Sequence, residues 1–165
     1  MKNEPKMIIV HHTAVAIQRA QLWGVNTYHK EREFPKSSLG YYIGYHYLIE
    51  RDGTLIKCRE EWEEGAHAKG YNFSSVGVCM SGNFNVERPT AAQEETLGKL
   101  LGEIVRRYNI PANLILPHRR FAEKGCYGTL LDDKWAALVY IKYELSVITR
   151  ILARLRMTFN YGRTK

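Results

Sequence analysis

Short apolar runs separated by turn residues dominate the first half of the chain. Residues 7–11 and residues 75–80 are apolar and rich in branched side chains, which predicts two buried strands. Residues 44–50 and 54–57 flank an Asp52-Gly53 pair, and this pattern predicts a β-hairpin closed by a tight turn. We therefore expect a sheet of at least four strands.

Longer stretches of the chain carry the periodicity of helices. Residues 16–32 form the first, and the Pro, Ser and Gly residues of positions 34–40 predict a loop behind it. Thr90 and Gln93 form a capping box, after which apolar residues recur at helical spacing up to the next proline. A last helix is predicted from Asp132 onward. Its apolar residues alternate three and four positions apart in a heptad pattern: Leu138, Ile141, Leu145, Ile148, Leu152 and Leu155.

Strands that alternate irregularly with helices favour a single α/β domain. We expect a central mixed β-sheet flanked by α-helices, with an extended C-terminal helix. A chain of 165 residues can bury such a core without disulfides. Residues 1–135 are assigned to the globular domain, and residues 136–165 to a basic amphipathic helix that belongs to this domain or packs on it.

The chain is strongly basic, with a formal net charge of +7. This balance indicates an anionic partner such as nucleic acid, a membrane surface or an acidic wall polymer. The sequence shows no helix-turn-helix or zinc-finger spacing, so direct nucleic-acid binding is not expected. The first residues lack a signal-peptide pattern, and no apolar run approaches the roughly 20 residues of a membrane span. These features predict synthesis in the cytoplasm.

Imidazole and thiol groups occur in a pattern that suits a metal ion. His118 and Cys126 lie eight positions apart in one stretch, and His11 and His12 end the first predicted strand. Zinc prefers such ligands, and three protein ligands leave a fourth position open for catalysis. Neighbouring strand residues face opposite sides, so His11 and His12 cannot both reach one metal, and periodicity does not say which one does. The same residue types also suit a loop histidine beside a small buried thiol.

Several motifs follow one another along the chain. They are Ile-Val-His-His-Thr-Ala at 9–14, Gly-Tyr-His-Tyr through Arg-Asp-Gly-Thr at 44–54, His-Ala-Lys-Gly-Tyr-Asn at 67–72, Ser-Val-Gly-Val-Cys at 75–79, and the stretch 118–126. In this order they resemble the zinc-dependent N-acetylmuramoyl-L-alanine amidases. The likeness is greatest to the short bacteriophage lysozymes of amidase type, relatives of the peptidoglycan recognition proteins, and it extends over about residues 7–135.

The resemblance implies a zinc site and two catalytic side chains. His11, His118 and Cys126 match the family's zinc ligands. Tyr45 and Lys124 match its catalytic tyrosine and lysine. Amide hydrolysis builds an oxyanion and needs a proton for the departing amine. Lys124 would stabilise the oxyanion, and Tyr45 would orient the water or shuttle its proton.

Other positions within the motifs have less specific implied roles. His67 and Asn72 would line the substrate groove, although a packing role is equally open. His12 is left as a packed histidine beside the ligands. After Cys126, where relatives carry Pro followed by Ser or Gly, this chain has Tyr127-Gly128, which predicts an altered groove rim.

The implied activity is hydrolysis of the amide bond between N-acetylmuramic acid and L-alanine in peptidoglycan, with Zn2+ as cofactor and host lysis as the role. One alternative is a cytoplasmic amidase that recycles soluble muropeptides. Another is a module that binds peptidoglycan without cutting it, although binding-only relatives typically lack the cysteine ligand. The resemblance also suggests a regulatory contact with phage RNA polymerase.

The C-terminal helix lies beyond the extent of the short phage enzymes. A heptad seam most often packs on its own protein's core, and this is the expectation here. The alternatives are contact with anionic lipid or lipopolysaccharide of the envelope, and pairing with a partner helix. A monomer is expected.

Overall fold

A five-stranded mixed sheet forms the centre of the protein. The computed structural model describes residues 2–16, 19–122 and 125–161, with side chains through residue 155. The strands are β1 (Met7–His12), β2 (Tyr47–Ile49), β3 (Leu55–Lys57), β4 (Ser75–Met80) and β5 (Ile115–Pro117). Their order across the sheet is β3-β2-β4-β1-β5, and β3 runs antiparallel to its neighbour while the other pairs are parallel. The predicted α/β fold with a mixed sheet is confirmed.

Within the described ranges, three α-helices accompany the sheet: α1 (Leu22–Glu31), α2 (Ala91–Tyr108) and α3 (Trp135–Tyr161). Helix α1 is shorter than the helix predicted over residues 16–32. Its start is set by the buried Glu50 carboxylate, which accepts the backbone N–H groups of Gln21 and Leu22 at 2.8 Å each. The capping box of α2 is present. The Thr90 hydroxyl accepts the backbone N–H of Gln93, and Oε1 of the Gln93 side chain accepts the backbone N–H of Thr90.

The two faces of the sheet carry different cores. Ile8 and Val10 of β1 point to the face covered by α2 and the start of α3, where the larger hydrophobic cluster lies. Side chains alternate along a strand, so Ile9 and His11 face the other side. There α1 and the segment before β2 cover a smaller cluster around Leu48 and Cys79. Side chains at the end of β1 therefore point to two different faces of the sheet.

Helix α3 packs on α2 with one face only. Tyr143 lies against Gly98 so closely that a Cβ on this glycine would be 2.6 Å from the tyrosine Cβ. The heptad residues lie away from this contact, and Leu138, Ile141, Leu145, Ile148, Leu152 and Leu155 are between 41% and 59% exposed. The expectation that the seam packs on the protein's own core is wrong. Among the described residues, the helices include none with both the length and the apolar character that a bilayer crossing requires.

Candidate metal centre and active site

Strand pairing brings the first two candidate ligands together. β1 and β5 run parallel, with Val10 opposite Pro117. The next residue after each of these is a histidine, and the rings of His11 and His118 lie 4.4 Å apart between centroids. Two imidazoles separated by more than a hundred positions thus meet at the carboxyl ends of adjacent parallel strands.

Cys126 completes the cluster. Its Sγ lies 3.8 Å from Nδ1 of His11. One ligand atom from each of His11, His118 and Cys126 can be chosen so that all three lie within 4.8 Å of one another. Nitrogen and sulfur ligands around a tetrahedral zinc ion would lie about 3.3–3.6 Å apart. The donor types and their spacing therefore fit zinc after a small inward adjustment of the side chains.

Arg119 ties the loop that carries Cys126 to the strand end that carries His118. Its backbone N–H donates to the Cys126 carbonyl at 2.5 Å. Its guanidinium donates to the carbonyl oxygens of Gly128 and Leu131, each at 2.7 Å. No feature of the sequence separated Arg119 from the adjacent Arg120, since only the folded loop shows which arginine turns inward.

His67 orients the ring of His11. With Nδ1 of His11 facing Cys126, Nε2 is the nitrogen that donates to Nδ1 of His67, at 3.0 Å. Nε2 of His67 lies 3.4 Å from Oγ of Ser75, which donates in turn to the Tyr71 carbonyl. Zinc-binding histidines commonly donate their second N–H in this way, which fixes both ring orientation and tautomer.

Asn72 holds the loop that carries His67. Its Oδ1 accepts the backbone N–H groups of His67 and Ala68, each at 2.8 Å. Its carbonyl accepts the N–H of Gly65 at 3.0 Å. These contacts agree with the packing role that the sequence left open for His67 and Asn72, but nothing in the sequence placed this loop against His11.

Tyr45 forms one wall of the cluster. Its ring centroid lies 4.8 Å from that of His11. Burial raises the pKa of Tyr45 well above its ordinary value, with further contributions from Cys79 and Cys126. The phenol therefore keeps its proton at neutral pH and can act as a hydrogen-bond donor. The preceding Gly44 is anchored by its N–H, which donates to Nδ1 of His29 at 3.2 Å.

The imidazoles of His11 and His67 are neutral. Burial lowers the pKa of His11 well below its ordinary value, and the neighbouring His67 and His118 lower it further. Burial, followed by His46 and His118, does the same to the pKa of His67. A neutral imidazole offers the lone pair that a metal requires.

His12 lies on the opposite side of the sheet from His11. Its Nδ1 accepts the backbone N–H of Phe84 at 3.0 Å, and the rings of His12 and Phe84 lie 5.6 Å apart.

Tyr127, predicted to alter the groove rim, is fully buried instead, and its hydroxyl donates to the Asp132 carbonyl at 3.0 Å. Lys124, predicted to be catalytic, lies outside the described residues.

Comparison with known proteins places this site within a family. The family model of N-acetylmuramoyl-L-alanine amidase matches residues 1–129. The endolysin of Escherichia phage T7 is 33% identical over 134 residues, covering 78% of this chain and 83% of the relative. Peptidoglycan-recognition protein SC2 of Drosophila melanogaster is 35% identical over 137 residues, covering 78% and 71%. The solved N-acetylmuramoyl-L-alanine amidase LysC from Clostridium intestinale superposes with a TM-score of 0.68 at 31% identity, covering 78% of this chain and 80% of the other. The chain therefore belongs to the N-acetylmuramoyl-L-alanine amidase family.

Proposed function

We propose that this protein uses zinc to hydrolyse the amide bond between N-acetylmuramic acid and L-alanine in peptidoglycan. The observation that carries the proposal is the convergence of His11, His118 and Cys126, whose ligand atoms lie within 4.8 Å of one another. Two imidazoles and a thiol are a donor set typical of zinc, and three protein ligands are typical of catalytic rather than structural sites. Zinc held there would polarise the scissile carbonyl and activate water at neutral pH.

The surrounding side chains have distinct tasks in this reaction. His67 keeps the His11 ring turned so that Nδ1 faces the cluster. Tyr45 stands beside His11 as a protonated phenol and would donate a hydrogen bond to the water or to the developing oxyanion. Lys124 is proposed as the cation that stabilises the oxyanion, on the strength of its motif alone. His67 and Asn72 remain proposed substrate contacts in addition to their positioning roles.

An aromatic pair borders the cluster on the side of the His67 loop. The rings of Tyr71 and Phe121 lie 4.5 Å apart and bridge the loop of His67 with the turn that follows His118. Tyr71 remains 38% exposed. Tyrosine combines a large apolar ring with a polar hydroxyl, which suits contact with a ligand that has both apolar and polar groups. We propose this pair as a contact for the peptidoglycan strand.

Host lysis is the role that the comparisons favour. Similar proteins include endolysins of Escherichia phage T7 and Klebsiella phage KP32, each 33% identical. A recycling amidase would act on soluble muropeptides, whereas a lysis enzyme acts on the intact wall. Turnover on isolated sacculi and on soluble anhydromuropeptides separates the two roles, and a strong preference for the soluble substrate would favour recycling.

The central experiment measures bound zinc and wall hydrolysis together in the purified protein. Wild type is expected to hold one zinc ion and to release L-alanine-linked peptides from sacculi, and Cys126→Ser is expected to lose both. Cys58→Ala is the matched control, because Cys58 is a buried cysteine of the smaller core that takes no part in the cluster. Full zinc content in Cys126→Ser would overturn the ligand assignment, and binding to sacculi without product would favour a binding module.

Contact with phage RNA polymerase stays a prediction from the resemblance. A transcription assay with purified protein tests it, and unchanged transcript yield would contradict it.

A further inference from the structure

An apolar stripe runs along the exposed side of α3. It consists of the six heptad residues Leu138, Ile141, Leu145, Ile148, Leu152 and Leu155, with Ile151 beside them. All seven side chains are between 41% and 59% exposed. At its beginning the stripe continues into a groove of about 440 Å³ that also contains Leu116 and Pro117. A continuous exposed apolar surface of this length indicates a binding site.

The fold does not use the stripe for its own core. Tyr143 packs on Gly98 of α2, and Val139 and Tyr140 pack against the larger hydrophobic cluster. On the same side of α3, Arg106 of α2 binds Glu144 at 2.8 Å. The contacts of α3 with α2 therefore stabilise the helix while the stripe stays outside.

Positive charge is concentrated in the same segment. Residues 135–165 contain six Lys and Arg residues and one carboxylate, Glu144, so five of the chain's seven net positive charges lie there. Lys142, Arg150 and Arg154 are exposed. Lys142 and Arg154 flank the stripe, whereas Arg150 lies on the α2 side of the helix, in a cleft that Lys142 also lines together with Glu94 and Glu95. An amphipathic helix with leucine and isoleucine on one face and cations beside it is typical of helices that lie in a membrane interface.

We propose that α3 binds the surface of an anionic phospholipid bilayer, with its axis in the membrane plane and the apolar stripe buried among the acyl chains. The charge pattern favours this partner over a second copy of the chain. In a two-helix coil built on this seam, the flanking positions would be Lys142, Thr149 and Arg156 on one side, and Ala137, Glu144 and Ile151 on the other. A second copy would offer these cations no carboxylate, because Lys142 would lie opposite Ala137 in a parallel coil and opposite another cationic position in an antiparallel one, and Glu144 already binds Arg106. Glu94 and Glu95 of α2 lie in the cleft beside Lys142 and Arg150, and lipid phosphates would balance the positive charge that remains along the segment.

The site would stay accessible on a membrane. α2 and α3 cover the face of the sheet to which Ile8 and Val10 point, whereas His11 faces the opposite side. Only the beginning of the stripe, beside Leu116 and Pro117, comes near the strand end that carries His118, so a molecule bound to lipid through α3 would leave the His11 side of the sheet open. Membrane binding would then hold the enzyme close to the wall without blocking the substrate groove. The proposal of membrane binding does not depend on the proposed amidase activity.

The test is co-sedimentation of the full chain with vesicles. Wild type is expected to bind vesicles that contain phosphatidylglycerol and to bind phosphatidylcholine vesicles much more weakly, with binding that weakens as salt is raised. Leu145→Asp combined with Leu152→Asp should lower the partition coefficient at least tenfold, because two half-exposed leucines are removed from the face that enters the lipid. Val86→Asp, at a residue 69% exposed outside α3, is the matched control and should leave binding unchanged.

Charge reversal tests the electrostatic part separately. Each cation near an anionic surface strengthens binding about fivefold, so reversing the two cations that flank the stripe, by Lys142→Glu with Arg154→Glu, should weaken binding about 25-fold or more. Lys99→Glu with Arg88→Glu changes the net charge equally at exposed positions outside α3 and should have a much smaller effect. All variants should hydrolyse isolated sacculi as wild type does, which keeps this test distinct from that of the amidase proposal.

Equal binding to both kinds of vesicle, or binding to neither, would overturn the proposal. If binding is absent and analytical ultracentrifugation shows a dimer that the leucine variants abolish, the stripe is assigned to a second copy of the chain instead.

Discussion

Removing the nitrogen of His67 that faces His11 should weaken zinc binding. His67→Phe keeps an aromatic ring but cannot accept the N–H of His11, which makes this hydrogen bond at 3.0 Å in the wild type. The pocket allows little freedom for another acceptor to take its place, since a Cβ on Gly77 would lie 2.6 Å from the His67 ring. The His11 ring would then be without the hydrogen bond that selects its orientation and tautomer.

The size of the effect follows from the orienting role of this hydrogen bond. Partners that orient a metal-bound histidine typically contribute 10–100-fold to metal affinity, or about 1.4–2.7 kcal/mol. The lower part of this range applies if water reaches Nε2 of His11 after the substitution. Since His11 is 1% exposed, we expect the decrease in affinity to be nearer the upper part.

Competition with a chromophoric zinc chelator measures the affinity directly, and thermal unfolding of the metal-free protein checks that the fold is kept. His67→Asn is the matched variant, because its amide oxygen occupies the place of the imidazole Nδ1 and should restore much of the affinity. If His67→Phe bound zinc as tightly as wild type while losing hydrolysis, His67 would act on the substrate and the positioning role would be refuted.

Three predictions concern stability. Burial alone would raise the pKa of Glu61, but hydrogen bonds from Tyr47, Arg107 and Tyr108 outweigh it and lower the pKa. The network therefore stabilises the fold above the unfolded-state pKa of about 4.3, and this contribution is lost as pH falls through the lower folded pKa. Chemical unfolding from about pH 6 to 3 should show a shallower acid decline for Glu61→Gln, and identical slopes would refute the assignment. Thr90→Ala removes the capping bond of α2 and should lower the unfolding free energy by about 1 kcal/mol, whereas Thr90→Ser should retain most of it. Gly98→Ala should cost about 1–3 kcal/mol through its clash with Tyr143, and an unchanged Tm would show that α3 does not pack there.

Local patterns were sufficient for most of the elements. The branched apolar run of β4 and the capping box of α2 depend only on residues close together in the sequence, so both elements lie where they were predicted. The start of α1 was missed because it depends on Glu50, which is distant in sequence and reaches the helix through the fold. Periodicity also found the seam of α3 correctly but could not tell which side of the helix would be covered.

For the site, the sequence by itself determined the residue types and the strand that ends in two histidines. Family motifs then selected His11, His118 and Cys126. Only the tertiary structure decided that parallel pairing of β1 with β5 sets two of these residues side by side, and that His67 holds the ring of His11. The physical reason is that a side chain's direction follows from local alternation, whereas its partners depend on strand register and loop packing, which join residues 56 to 115 positions apart.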